Sequence, residues 1–166
     1  MTIRQYVQRL WANLRPGRRH AGGYRRLRVL FVCTGNACRS QMAEGWTRAL
    51  KADRIEPFSA GTAPARLDPL AVQVMAEAGV DISRQYSKHV LSFRDAPLDC
   101  VITLCDSARQ ACPAPMLAAR TLHVGFDDPS SLARHAAAPQ EALAHYRRVR
   151  DEIRQFVADL PDYLAQ

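Results

Sequence analysis

Apolar residues along the chain form short continuous runs, separated by longer stretches with helical periodicity. The short runs predict four β-strands, at residues 28–33, 56–59, 100–104 and 121–124. Because helical stretches alternate with these runs, the strands are expected to join through right-handed crossovers into one parallel sheet. The pattern therefore predicts a small α/β sandwich.

Three helices are indicated by side-chain spacing and by end signals. The first covers about residues 41–52. The second begins with Asp68 as cap and Pro69 as first residue, and ends at Gly79. The last follows Pro139 and has arginines on one face. The apolar side chains of its other face recur at helical spacing: Leu143, Tyr146, Val149, Ile153, Phe156 and Leu160. This apolar stripe predicts a helix that faces the core.

The 166 residues suit one domain, and the formal charge of +7 is unevenly distributed. Residues 1–28 contain eight arginines and no acidic residue. Without those eight, the remaining 15 basic and 16 acidic residues give a net charge of −1. The sequence therefore predicts a basic extension and linker at residues 1–27 and a catalytic domain at 28–166, with no nucleic-acid binding by the domain.

The extension has a hydrophobic pattern of its own. Arginines flank its apolar residues, and the segment RPGRRHAGG follows them. The apolar residues recur at helical spacing: Ile3, Tyr6, Val7, Leu10, Trp11 and Leu14. This predicts a short basic amphipathic helix on a linker. Contact with an anionic membrane surface, docking on a partner and packing on its own domain all remain open. The sequence has no run of eighteen apolar residues, so no membrane span is predicted.

Five cysteines are present, an odd number that does not resemble a secreted disulfide scaffold. We expect reactive thiols in a cytoplasmic protein. No Cys-x2-Cys pair occurs, and the five histidines show no spacing that would converge on a metal, so no metal site is expected.

The chemistry is concentrated in the sequence VLFVCTGNACRSQMAEGW, where the first strand leads through Cys33, five loop residues and Arg39 into a helix. Such a loop turns backbone N–H groups inward and fits a tetrahedral oxyanion. Arg39 can hold two oxygens at once, and the positive charge around Cys33 favours its thiolate. Cys33 is therefore the predicted nucleophile, at the carboxyl end of the sheet where ligands bind. The predicted oxyanion-binding residues are Thr34, Gly35, Asn36, Ala37, Cys38, Arg39 and Ser40. The alternative is a buried structural cysteine beside a surface arginine.

The segment CTGNACRSQMAEGW resembles the active-site segment of the thioredoxin-coupled arsenate reductases, which are built on the low-molecular-weight protein tyrosine phosphatase fold. Four further segments match in order: SAGT at 59–62, DPLAVQVMAEAGVDIS at 68–83, TLCDSARQACP at 103–113 and GFDDP at 125–129. The resemblance covers about residues 28–160. It implies a three-layer sandwich around a central four-stranded parallel sheet.

The resemblance also implies a chain of thiol exchange. Cys33 attacks arsenate, Cys105 attacks Cys33 and releases arsenite, and Cys112 then attacks Cys105. Thioredoxin, or another thiol reductant, reduces the resulting disulfide. Asp128 supplies the proton for the departing oxygen, with Asp127 as a neighbouring rival. No organic cofactor is implied.

Helix geometry sets a condition on the final disulfide. Its two Cα atoms must lie within about 7 Å of each other. An ordered helix would separate Cys105 from Cys112 by about 10 Å at the standard rise per residue. Residues 106–111 are therefore predicted to bend or partly unwind, which would expose the disulfide to thioredoxin.

Other polar residues of the loop are expected to support Cys33. The Ser40 hydroxyl is expected to donate to the Cys33 thiolate, and a role as helix cap is compatible with this. Asn36 is expected to fix the loop through side-chain hydrogen bonds. Cys38 shares the loop without a required role, and Cys100 is predicted to be a core residue.

One position departs from the family pattern. Some family members bind potassium through residues that match Asn36, Glu44 and Ser59, together with an acidic residue that aligns with Lys88 here. The Lys88 ammonium would repel a cation and could replace it by pairing with Glu44. Activity is therefore predicted to be independent of potassium.

Two alternative functions are considered. A low-molecular-weight phosphatase would need neither Cys105 nor Cys112, but phosphatases of this fold usually have proline where this chain has Gln41, and tyrosines where it has Ser130 and Ser131. A phosphotyrosine site would also be expected to have aromatic walls, and the loop has none. A non-catalytic oxyanion sensor that holds a partner through its extension would not need the catalytic residues Cys33, Arg39 and Asp128 together.

Overall fold

The computed structural model describes residues 25–113 and 120–160. Within these residues, four strands form one parallel sheet in the order β2-β1-β3-β4: β1 (Leu27–Cys33), β2 (Ile55–Gly61), β3 (Cys100–Thr103) and β4 (Arg120–His123). The two central strands, β1 and β3, are almost entirely buried, which explains their continuous apolar sequences. The predicted parallel sheet is confirmed, with strand ends shifted by one or two residues.

Five α-helices are described, together with a short 3-10 helix at Val90–Phe93. They are α1 (Arg39–Leu50), α2 (Pro69–Glu77), α3 (Asp106–Ala111), α4 (Pro129–Ala133) and α5 (Pro139–Ala158). The apolar stripe of α5 is buried as predicted, and α5 contacts α1, α2 and α4. Burial of each large apolar side chain contributes about 1.5–3 kcal/mol to folding, so α5 anchors the helices around the sheet.

The first two helices differ from the prediction at their ends. Helix α1 begins at Arg39 rather than near residue 41, because the loop ends immediately after Cys38. Helix α2 ends at Glu77, and Gly79 follows in the left-handed conformation with φ +80°. The hydrophobic pattern does not predict helices α3 and α4, because elements of five or six residues are too short to show a helical period.

The chain enters β1 at the end of the sheet opposite to the carboxyl ends of the strands. Arg25 donates to both carboxylate oxygens of Asp99, at 2.9 and 2.6 Å, and Asp99 also accepts from the Arg28 amide at 2.8 Å. These bonds tie the start of β1 and the segment before it to Asp99, the residue that precedes β3. Residues 1–24 of the predicted extension lie outside the described residues. No helix in the described ranges is both long enough and apolar enough to cross a membrane.

Candidate active site

The carboxyl end of β1 opens into a cavity of about 480 Å³. Cys33 ends β1, Arg39 begins α1, and the loop between them contributes to the lining. The remaining walls come from the segment after β2 and from the starts of α3 and α4. The lining residues are Cys33, Thr34, Gly35, Ala37, Cys38, Arg39, Ala63, Ala65, Asp68, Cys105, Ser107, Asp128 and Ser130.

Backbone hydrogen bonds fix the orientation of the loop peptides. Three loop carbonyls accept from amides of the segment after β2: Thr34 from Ala63 at 2.9 Å, Gly35 from Ala65 at 2.8 Å and Ala37 from Asp68 at 3.0 Å. In a trans peptide the N–H points away from the carbonyl. The following N–H groups are therefore turned away from that segment and can donate to an anion held by the loop.

Asn36 fixes the tightest point of the loop. It is fully buried and has a φ of +45°, a left-handed conformation that asparagine tolerates better than most residues. Its Nδ2 donates to Ser40 Oγ at 2.8 Å, and its Oδ1 accepts from the Lys88 amide at 2.8 Å. Gly61 lies directly against the loop, because a Cβ there would be 2.6 Å from the Thr34 carbonyl oxygen. The predicted side-chain bonds of Asn36 are thus present.

The thiol of Cys33 is buried beside a hydroxyl group. Cys33 Sγ lies 3.0 Å from Ser40 Oγ, and only 2% of Cys33 is exposed. Since the Ser40 oxygen accepts from Asn36, its own hydrogen is free to point at the Cys33 sulfur. The suggested helix-cap role of Ser40 is wrong: α1 begins one residue earlier, with Cys38 as N-cap and no capping side chain.

Arg39 connects the loop to the segment that carries the candidate acid. Its Nη1 donates to the Phe126 carbonyl at 3.1 Å, and its Nη2 lies 3.7 Å from Asp128 Oδ2. The guanidinium is largely buried, so its charge acts at the cavity with little screening by water.

The two neighbouring aspartates point in different directions. Asp128 lines the cavity and caps α4, with Oδ1 accepting from the amide and hydroxyl of Ser130 at 3.2 and 2.9 Å. Asp127 instead pairs with Arg148 on α5 at 2.8 Å. Of these two carboxylates, only Asp128 contributes to the cavity wall.

The structure brings one of the two further predicted redox cysteines to the cavity. Cys105 lies in the wall as N-cap of α3, and its Sγ is 3.4 Å from Thr34 Oγ1. Cys112 is the C-cap of α3 and is not among the lining residues. Burial raises the pKa of the Cys112 thiol. All five cysteines are free thiols in this structure.

The remaining two cysteines are buried and protonated at neutral pH. Burial, assisted by the Asp68 carboxylate, raises the pKa of Cys38 well above its ordinary value. Burial raises the pKa of Cys100, in β3, to about 12. Cys100 is a core residue, as predicted, whereas Cys38 lines the cavity beside Cys33.

Glu44 is surrounded by donors. Its Oε1 pairs with Arg48 at 2.7 Å, while its Oε2 accepts from Ser59 at 2.5 Å and lies 3.7 Å from the Lys88 ammonium. The predicted pairing of Lys88 with Glu44 is therefore present. Desolvation lowers the pKa of Lys88, and the Glu44 carboxylate opposes this shift. With two cationic partners already on Glu44, these residues do not fit a bound potassium ion.

Sequence reasoning missed one acidic residue of the cavity wall and the tyrosine that contacts it. The sequence identifies Asp68 only as a helix cap and Tyr146 only as a core residue. In the structure Asp68 lines the cavity, and the Tyr146 hydroxyl donates to its Oδ2 at 2.5 Å. Nothing in the sequence links two residues 78 positions apart, although Asp68, like Asp128, precedes a proline at a helix start.

Comparison with known proteins shows the family of this chain. The family model for low molecular weight phosphotyrosine protein phosphatase matches residues 28–166. Arsenate reductases from Bacillus subtilis and Halalkalibacterium halodurans are 44% and 43% identical over 125 residues, which is 75% of this chain and 88% of each relative.

Solved structures agree with these matches. One described as "An arsenate reductase in the phosphate binding state" has a TM-score of 0.69 and 32% identity, covering 81% of this chain and 95% of that chain. The low molecular weight protein tyrosine phosphatase from T. tengcongensis has a TM-score of 0.65 and 28% identity, covering 81% and 97%. The fold implied by the sequence resemblance is confirmed. The chain belongs to the low molecular weight phosphotyrosine protein phosphatase family.

Proposed function

We propose that this protein reduces arsenate to arsenite through a relay of Cys33, Cys105 and Cys112. The observation that carries the proposal is the position of Cys105, whose thiol lies in the wall of the cavity that contains Cys33. Hydrolysis of a phosphate ester needs a single cysteine, whereas reduction of As(V) to As(III) needs two electrons, which a pair of thiols can supply. The names of the two bacterial relatives support the same activity.

Arsenate binding and the first step use the loop. The turned amides and the Arg39 guanidinium hold the oxyanion, and the Ser40 hydroxyl stabilises the Cys33 thiolate. The thiolate forms an S–As bond as one As–O bond breaks. Asp128, in its protonated form, supplies the proton with which the departing oxygen leaves as water.

Reduction occurs in the second step. Cys105 attacks the Cys33 sulfur, so an S–S bond forms and the S–As bond breaks. The electron pair of that bond stays on arsenic, which becomes As(III) and leaves as arsenite. The Thr34 hydroxyl, 3.4 Å from Cys105 Sγ, orients the attacking sulfur.

The third step moves the disulfide away from the cavity. Cys112 attacks Cys105, which forms the Cys105–Cys112 bond and releases the Cys33 thiolate. Cys105 and Cys112 flank the six-residue helix α3. An ordered helix between them would keep their Cα atoms roughly 10 Å apart at the standard rise, so its residues must unwind to bring these atoms within about 7 Å. The unwound segment then presents the disulfide to a dithiol reductant, for which we propose thioredoxin in the cytoplasm.

Hydrolysis of small phosphate esters is a second candidate activity. It is favoured by the grouping of Cys33, Arg39 and Asp128 around one cavity, since these groups also suffice for a phosphocysteine mechanism. Among the described residues, however, none that lines the cavity is aromatic. This composition favours a small oxyanion over a phosphotyrosine side chain.

The experiment that tests the proposal measures both activities on one preparation. Arsenate-dependent NADPH oxidation is followed with thioredoxin and thioredoxin reductase, beside hydrolysis of p-nitrophenyl phosphate. We expect sustained arsenate-dependent turnover, and its loss in Cys105→Ser with phosphate ester hydrolysis retained. Strong ester hydrolysis without arsenate turnover would instead identify a phosphatase.

A further inference from the structure

The cavity contains a second carboxylate for which the proposed reaction has no use. Among the described residues that line it, Arg39 is the only basic one, whereas Asp68 and Asp128 are both acidic. A site for an arsenate or phosphate anion must therefore limit the repulsion from these two side chains. Asp128 meets this condition through its proximity to Arg39 and its proposed role as the acid.

Asp68 has different partners. Its Oδ1 accepts from the Leu70 amide at 2.9 Å, which caps α2. Its Oδ2 accepts from the Tyr146 hydroxyl at 2.5 Å. Its backbone N–H donates to the Ala37 carbonyl in the oxyanion loop at 3.0 Å. Asp68 thus connects α5 directly to the loop, with a donor on each carboxylate oxygen.

Tyr146 is well suited to hold this carboxylate. Its side chain belongs to the buried stripe of α5, with only 2% of the residue exposed. Burial and the hydrogen bond to Asp68 raise the pKa of Tyr146, so its hydroxyl remains a donor throughout the neutral and moderately alkaline range. The ring is fixed by core packing, which fixes the hydroxyl as well.

We propose that Tyr146 is a positioning residue for oxyanion binding, whose hydroxyl holds the Asp68 carboxylate against α5 and away from the anion. The bond also draws negative charge on Oδ2 toward the hydroxyl hydrogen. Without this hydrogen bond, the carboxylate keeps only the Leu70 amide as a donor, on Oδ1. More of its negative charge then acts on the loop and on Arg39. The role rests on the proposed function only in requiring that a tetrahedral oxyanion occupies the cavity.

Inorganic phosphate is the direct probe, because its binding does not depend on turnover. Calorimetric titration of the reduced full chain compares the unaltered protein with Tyr146→Phe, Asp68→Asn and the double variant. We expect Tyr146→Phe to weaken phosphate binding about fivefold, the effect of one like charge brought nearer to the anion. Asp68→Asn keeps a capping side chain but removes the charge, so the double variant should bind phosphate as well as Asp68→Asn does.

The double variant separates charge positioning from a structural role. If Tyr146→Phe weakens phosphate binding by the same factor in the unaltered protein and in Asp68→Asn, the loss comes from packing and the proposal is wrong. Unchanged phosphate affinity in the single variant would also overturn it. Tyr86→Phe, at a tyrosine that is 69% exposed, serves as the matched control and should bind phosphate normally.

Arsenate kinetics supply an independent readout. The proposal predicts that Tyr146→Phe raises KM for arsenate by the same factor as the phosphate Kd, with kcat changed much less; a loss in kcat alone would contradict it. If the unaltered protein shows no arsenate turnover, the proposed function fails. The predicted order of phosphate affinities would then still support the role of Tyr146.

Discussion

The hydroxyl of Ser40 offers a sharp test of how the loop activates Cys33. Ser40 Oγ lies 3.0 Å from Cys33 Sγ and also accepts from Asn36 Nδ2 at 2.8 Å, with all three residues buried. Ser40→Ala removes the donor to the thiolate and leaves the Asn36 amide without this acceptor. The substitution should therefore reduce both activity and stability.

The two effects can be given separate magnitudes. A hydrogen bond to a charged group contributes about 1.5–3 kcal/mol, and each 1.4 kcal/mol is about a factor of ten in rate. Ser40→Ala should thus lower kcat/KM by about ten- to a hundredfold. Loss of the acceptor for Asn36 should lower the free energy of unfolding by about 1–3 kcal/mol.

The assay is p-nitrophenyl phosphate hydrolysis together with the first turnover of arsenate, and urea denaturation gives the stability. Thr47→Val is the matched control, since Thr47 is also buried on α1 but donates to the Ala43 carbonyl at 2.7 Å. It should lose stability and keep its rate. A loss of less than threefold in Ser40→Ala would refute a role for this hydroxyl in activating Cys33.

Three further predictions follow from other contacts of the site. Asp128→Asn should reduce kcat by about a hundredfold or more, whereas Asp127→Asn should stay within about twofold; equal losses would contradict the assignment of the acid. Rates of the unaltered protein should be equal in potassium and sodium chloride at the same ionic strength, and strong stimulation by potassium would count against the Lys88 pairing. Lys88→Glu places a second carboxylate beside Glu44, so this variant should be stimulated by potassium. Since burial raises the pKa of Cys112, disulfide closure in a single turnover should accelerate by up to about tenfold per pH unit above pH 7, and a flat pH profile would exclude Cys112 as the attacking thiol.

The sheet and the nucleophilic loop could be predicted because their causes are local. Continuous apolar runs specify buried parallel strands, and a strand that leads through Cys33 and Arg39 into a helix specifies an anion-binding loop. The Lys88–Glu44 pair was predictable from the resemblance. Where some family members have an acidic residue that binds potassium, this chain has Lys88, whose positive charge can pair with Glu44 directly.

Other features depend on contacts between distant parts of the chain. Asp68 and Tyr146 each have an adequate local explanation, as a helix cap and as a core residue, so no pattern indicates that they meet at the cavity. Likewise, only the resemblance favours Asp128 over Asp127 as the acid, because the local sequence does not show that Arg148 from α5 pairs with Asp127. The amphipathic pattern of the extension, whose first 24 residues lie outside the described ranges, remains a prediction.

The central claim, the three-cysteine relay, is tested most directly by mapping disulfides after one equivalent of arsenate in the absence of reductant. Mass spectrometry of alkylated peptides should show a Cys105–Cys112 disulfide in the unaltered protein, with one arsenite released per chain. In Cys112→Ser the relay should stop at a disulfide between Cys33 and Cys105. Arsenite release with all three thiols still free for alkylation, or the same yield of arsenite from Cys105→Ser, would contradict the account.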